Sequence, residues 1–406
     1  MSQPGTLILI MAIAVLAPLL SYALGRRLPV PLVIFEIVLG IVIGPDVLGI
    51  AHHDATIDTL SDLGLSMLIF LAGYEIEFAT VRGDTLRRSV RAWLAALALG
   101  LGTAFALSGG AVTKSFVIGT ALTSTALGTV LPILRDSGDL KGRFGTVMMA
   151  FGAVGEFGPI IAMTVLLSGS GHPGRSTALL AAFAAVTAAA VCWALRPRRP
   201  WFADVIARTL HSSAQFAVRF VMLLLAAMLG LSHAFGLDTL LGAFAAGLLT
   251  RLVLQGAAPE SSELILGRIE AMGFGFLVPV FFIVTGIDFD LKALLDGGRA
   301  LLLLPVFLLL FLVVRGLPVY VLAPRDLART DRTALTLYSS TALPLVVAIT
   351  TIGLDEKALT AGEAAALVGA GMVSVLVFPL LALRLRARSG SEVTAPPRPV
   401  SGTESW

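Results

Sequence analysis

Three ionisable residues stand inside long apolar runs of this 406-residue chain: Glu36, Glu156 and Arg315. Glu156 lies in a stretch from about Phe144 to Leu167 that holds no other ionisable side chain. A charge near the middle of a bilayer costs about 2.5–3.5 kcal/mol even on the lenient insertion scale, so a carboxyl kept there needs a compensating role. Reversible binding of a proton or a cation is such a role. Removal from water disfavours the ionised carboxyl and a bound cation or nearby guanidinium favours it, so proton and cation can compete for one group. Gly152 and Gly155 before it leave room for another backbone or for water, and Gly158 and Pro159 after it are helix breakers. The plainer alternative is a protonated Glu that hydrogen-bonds a neighbouring helix.

Arg315 follows the apolar segment Leu301 to Val314, too deep for easy snorkelling to the surface. A guanidinium keeps its proton at any ordinary pH, so Arg315 is a fixed charge rather than a proton carrier. It either pairs with an acidic residue, for which Glu36 is a candidate, or takes part directly in an ion path. Glu36 is otherwise a second site residue. Glu75 and Glu77 lie at the end of an apolar run, solvated or paired with the Arg residues beyond. Hydroxyls supply the other hard ligands that an alkali cation prefers. They gather in two segments that echo one another, TALTSTAL at Thr120 to Leu127 and TALTLYSSTAL at Thr333 to Leu343, with Pro132 and Pro344 close by. Thr123, Ser124 and Thr125 are the candidate ligands in the first, and Ser339, Ser340 and Thr341 mark the second. Ser and Thr at such positions also serve ordinary helix packing, and that reading stays open for either segment alone.

Positioning these groups falls to helices, because the chain is 57% hydrophobic and 14% charged with mean hydropathy +0.92, which excludes a soluble globular protein. No alternation of polar and apolar residues suggests a barrel. Runs long enough to cross about 30 Å of hydrocarbon lie near 6–24, 30–50, 61–78, 90–109, 115–134, 144–167, 176–195, 215–235, 238–254, 267–287, 300–322, 333–353 and 361–383. Alternate loops are rich in Arg, from Arg26 and Arg27 through Arg82, Arg87, Arg88 and Arg91 to Arg384, Arg386 and Arg388, while the intervening ones hold only Lys114, Arg175, Lys292, Arg299 and Lys357. Basic residues concentrate on the cytoplasmic side, so thirteen spans, an outside N-terminus and a cytoplasmic C-terminus are expected together. The fifth and twelfth runs, which carry the hydroxyl segments, then point in opposite directions, as an inverted repeat with helices broken at mid-membrane requires. The basic residues form short clusters rather than one patch, which argues against a nucleic-acid partner. The single Cys192 excludes an internal disulfide. Residues 389–406 read as a disordered cytoplasmic tail, and loops this short disfavour an enzyme.

The segments LPVPLVIFEIVLGIVIGPDVLGI at Leu28 to Ile50, LSDLGLSMLIFLAGYEIEF at Leu60 to Phe78, LTSTALGTVLPIL at Leu122 to Leu134, GAFAAGLL at Gly242 to Leu249 and VPVFFIVTGIDFDL at Val278 to Leu291 resemble the monovalent cation:proton antiporter family, in its second large branch. Order and spacing match across nearly the whole chain. The resemblance implies a homodimer in the plasma membrane, with a fixed dimerisation part and a six-helix core interleaved over residues 1–388, and with two crossed broken helices in the core. It implies an ion-binding carboxyl at Glu156 and a basic residue at Arg315 in the span before the second broken helix. Where relatives often carry a second polar or acidic residue, this chain has Gly155, which favours electroneutral exchange of one Na⁺ or K⁺ for one H⁺. An Arg, Gly, Glu element common in the second broken helix is replaced here by Ser339 to Leu343. The fold expected is therefore all-α and polytopic, with no cofactor. Proton- or sodium-coupled transport of a small solute, and a membrane sensor or scaffold without transport, are the alternatives.

Overall fold

A computed structural model of the chain describes residues 3–25, 31–51, 55–75, 83–140, 142–167, short pieces between 181 and 209, and 215–237, 239–257, 261–296 and 298–393. Among them every regular element is a helix. In chain order these are α1 (Gln3–Gly25), α2 (Leu32–Ile43), α3 (Ala55–Glu75), α4 (Asp84–Leu107), α5 (Val112–Ala121), α6 (Leu127–Asp136) and α7 (Arg143–Leu167). After the seventh apolar run, most of which lies outside the described residues, come α8 (Phe216–Ala234), α9 (Thr239–Ala257), α10 (Ser262–Ile287), the short α11 (Leu291–Asp296), α12 (Gly298–Leu322), α13 (Arg329–Ser339), α14 (Pro344–Asp355) and α15 (Ala361–Val393). Each of the other twelve apolar runs becomes one helix or a broken pair. Nine described stretches are long and apolar enough to cross a membrane, the thirteenth run giving α15, which continues to Val393 and so into the segment expected to be a tail.

The helix breakers act unevenly. Gly44 and Pro45 end α2 in a turn, whereas α7 runs unbroken through Gly158 and Pro159. At Gly158 the missing side chain instead admits the indole of Trp93 from α4. Two helices contain a π-helical turn, Gly273–Leu277 in α10 and Phe311–Gly316 in α12, each followed two residues later by a proline, Pro279 and Pro318. A proline leaves the carbonyl four residues earlier without its donor, and a widened turn is one way for the backbone to accommodate that.

The helices sort into two bundles by what they touch. α1, α2, α3, α8, α9 and α10 pack on one another, and α4 to α7 pack with α12 to α15. Among the described residues each half of the chain gives three spans to each bundle, the interleaving expected of an internal repeat. In the first bundle α2 and α10 approach until glycine faces glycine: a Cβ on Gly40 would meet the Ile283 carbonyl, and one on Gly286 would meet that of Ile37. Small residues allow such backbone contact, which drives association where lipid makes burial of apolar surface neutral. Between the bundles the contacts are sparser and run from α3 to α6, α9 to α7 and α2 to α15.

Candidate functional site

The two hydroxyl-rich segments are where the second bundle's helices break. Residues 122–126 separate α5 from α6 and residues 340–343 separate α13 from α14, and the two breaks are bonded to each other. The Ala126 N–H donates to the Thr341 carbonyl at 2.7 Å, and the Thr125 hydroxyl donates to the Ser339 carbonyl at 2.6 Å. Backbone groups freed by a break inside a membrane need partners, and here the two breaks supply one another. A third partner comes from α7, whose Gly155 carbonyl accepts from the Thr125 N–H at 3.0 Å. That carbonyl is available because residue 159, which would donate to it in a regular helix, is a proline.

Glu156 follows immediately on α7 and is only 2% exposed. Its carboxylate interacts with the backbone N–H of Leu127, the first residue of α6. The first N–H groups of a helix have no internal acceptor and lie at the positive end of its dipole, so a negative charge is favoured there. The carboxylate oxygen Oε2 is buried without a hydrogen-bond partner among the described residues. The site thus offers a buried carboxylate beside a helix N-terminus, with one oxygen uncommitted among the described residues. Of the candidate ligands, Thr123 and Ser124 are fully buried, with hydroxyls that donate to carbonyls of α5, Thr120 at 2.8 Å and Ala121 at 2.7 Å. Each keeps lone pairs to offer. Thr125 is already engaged on both sides and acts as the pin between the breaks.

Arg315 sits in the π-turn of α12, fully buried. Its Nε donates to the Thr125 hydroxyl at 3.0 Å and its Nη2 to the Phe151 carbonyl of α7 at 2.7 Å. Among the described residues it forms no ion pair, with Glu156 or with Glu36. In place of the candidate partner Glu36, which belongs to the other bundle, the guanidinium bonds neutral oxygens. Glu36 is buried on α2 and lines a cavity of about 830 Å³ between the bundles. Gly155 explains why the place beside the carboxyl is bare: a Cβ there would run into Arg315 Nη2 and the Thr125 hydroxyl. The guanidinium occupies the volume that a second polar side chain would need.

In the second break, the Ser340 hydroxyl donates to Thr336 and that of Thr341 to Leu337, both back into α13, while Ser339 Oγ is buried without a partner among the described residues. Sequence reasoning missed Ser374. From the middle of α15 its hydroxyl accepts from the Ala342 N–H at 3.0 Å and so satisfies the second break. A lone serine in an apolar helix was the available signal. It also missed how Glu75 is held: the residue pairs with Arg135 of α6 rather than with the arginines following α3, and Glu77 lies outside the described residues.

A family model described as sodium/hydrogen exchanger, transmembrane, matches residues 11–383. YjbQ of Bacillus subtilis, a provisionally named Na⁺/H⁺ antiporter, is 26% identical over 95% of this chain and 63% of its own length, so the chain spans less than two thirds of that relative. The Na⁺/H⁺ antiporter NhaS5 of Synechocystis is 29% identical over 83% of this chain and 47% of its own. The fold is similar to that of the solved sodium proton antiporter MjNhaP1 of Methanocaldococcus jannaschii, with TM-score 0.65 and 17% identity over 97% of this chain and 98% of the other.

Proposed function

We infer that this chain, which belongs to the sodium/hydrogen exchanger family, is a secondary antiporter that exchanges Na⁺ or K⁺ for H⁺ across the plasma membrane. The carrying observation is the buried Glu156 carboxylate, beside the N-terminus of α6 at the meeting of two helix breaks, with one oxygen uncommitted among the described residues. A proton or an alkali cation satisfies that oxygen equally well in kind, and neither can bind while the other is there. Thr123 and Ser124 supply further oxygens, and carbonyls freed by the breaks lie beside them. The bundle of α4 to α7 and α12 to α15 carries the site from one face to the other against the first bundle, which stays fixed and pairs with a second copy to make a homodimer. The N-terminus lies outside and the C-terminus in the cytoplasm.

Arg315 stays charged throughout, so the loaded bundle carries the same net charge with a proton or with a monovalent cation aboard. Exchange is then one for one and electroneutral. The test is Glu156→Gln in proteoliposomes with an internal pH dye. Cation-driven proton movement is expected to vanish, and an unchanged rate would sink the assignment.

A further inference from the structure

Beyond Glu156, several carboxylates lie where the two bundles meet, and Glu75 is the one nearest in the chain's packing to the first break. Glu75 ends α3 in the first bundle with its side chain 13% exposed, and pairs at 3.1 Å with Arg135 in the last turn of α6 in the second. Arg135 reaches a second carboxylate, Glu270 of α10, at 3.4 Å. One guanidinium therefore bridges two acids of one bundle from a helix of the other. Glu75 also lies within electrostatic range of Glu156 on α7 and of Arg251 on α9. Beside Glu75 is a pocket of about 20 Å³, lined by Glu75 and Arg135 and otherwise by apolar residues and Gly128, among them Leu127, whose backbone N–H lies close to Glu156. A space of that size holds one water when polar groups face it. The pocket shares Leu68, Gly128, Arg135 and Phe274 with the 830 Å³ cavity that opens between the bundles.

We propose that Glu75 is a one-sided proton relay between that cavity and Glu156, with Arg135 as its gate. The inference rests on the exchange reading above and adds to it the route by which protons reach the site from one face. A proton arriving from the cavity neutralises Glu75, Arg135 turns to Glu270, and the proton passes on through the pocket to the Glu156 carboxylate. Glu75 is then a carboxylate again and recovers Arg135. The same guanidinium makes Glu75 a poor stop for an alkali cation, which would meet a fixed positive charge at bonding distance. Relay matters most where protons are scarce. At pH 8 they are present at about 10⁻⁸ M, so encounters at a limiting rate of about 10¹⁰ M⁻¹s⁻¹ deliver only about 10² per second to a buried group.

The experiment measures cation-driven proton flux of the full chain in weakly buffered membrane vesicles of both orientations at pH 8. Glu75→Gln is expected to slow exchange by roughly tenfold, less than the 10²- to 10⁴-fold that positioned proton carriers often contribute because water remains a competing route. Added MOPS, an impermeant buffer small enough for the cavity, restores the rate only when present on the face where Arg135 opens. A merely structural role gives no such rescue. Absence of slowing, or slowing indifferent to MOPS on both faces, overturns the relay. Should Glu75→Gln not reach the membrane, Glu75→Asp takes its place: a smaller slowing with the same one-sided rescue supports the relay, and its absence overturns it. A wild-type protein inert to every alkali-cation gradient would instead overturn the exchange reading, and the relay with it.

Discussion

At the scale of single residues, the site turns on a charge that pairs with no charge among the described residues. Arg315 is wholly buried, and its stabilisation comes from the Thr125 hydroxyl and the Phe151 carbonyl. Hydrogen bonds from a charged donor are each worth about 1.5–3 kcal/mol. Lysine keeps the charge but cannot span two acceptors with a planar fork. Arg315→Lys should therefore lower the thermal midpoint of the purified protein by the equivalent of about one such bond and loosen the joint between α7 and the first break. An unchanged midpoint would show the fork to be dispensable. Gly155 makes the converse test. Even one methyl there meets Arg315 and Thr125, and overpacking of this kind costs about 1–3 kcal/mol. Gly155→Ala is expected to slow exchange by displacing the guanidinium while Glu156 itself is untouched, read from initial rates in proteoliposomes beside a melting curve. Glu156 and Arg315 were legible in the sequence because a charge in an apolar run has no local explanation. Their partners were not: a main-chain carbonyl such as that of Phe151 looks the same at every position, so the sequence could offer only another charge in an apolar run, Glu36, as a candidate.

At the scale of elements, the breaks were legible and their fastening was not. Clustered hydroxyls with prolines nearby marked residues 122–126 and 340–343, yet the residues that hold them lie on other helices. The last helix does much of this. At one end Lys114 of α5 pairs with Glu363 of α15 at 2.5 Å, in the middle Ser374 serves Ala342, and at the other end Arg386 bonds Asp139 and Asp331 and lies 3.7 Å over the Phe144 ring. A single helix thus ties the first broken segment at both ends and the second at its start and at its break. Ser374→Ala leaves the buried Ala342 N–H unpaired, which costs about 1–3 kcal/mol, and should lower the melting temperature without altering which cations drive exchange. Pro159 sets two effects of different size against each other. Pro159→Ala gains up to about 3 kcal/mol of helix propensity, while the restored N–H competes for the Gly155 carbonyl and so endangers a bond to Thr125 worth about 0.5–1.5 kcal/mol. The gain in propensity outweighs the endangered bond for stability, but that bond is the one at the site. The variant should melt no lower than the parent yet exchange more slowly, and full activity would show that the Gly155–Thr125 bond is not needed.

At the scale of the whole molecule, two bundles drawn from alternating triplets of spans meet through few contacts, and cavities of about 830 Å³ and 560 Å³ open between them. The smaller is lined by Asp58 and Asp62 of α3 and by residues of α14 and α15, the larger by Glu36, Arg135 and Glu270, and Glu156 lines neither. A site closed to both while flanked by both suits rigid movement of one bundle past the other. The charge carried in that movement decides the energetics. Moving one elementary charge through 100 mV is worth about 2.3 kcal/mol, which is about a 50-fold change in an equilibrium ratio at 1.36 kcal/mol per decade. With Glu156 as the sole exchanging carboxyl and Arg315 fixed, each half-cycle moves the same charge in opposite directions, so voltage cancels from the balance point although it can alter the rate. Proteoliposomes clamped at 0 and 100 mV should therefore come to rest at the same ratio of cation to proton gradients. A shift approaching 50-fold would mean that a second proton travels with each cation, and that another carboxyl shares the load with Glu156.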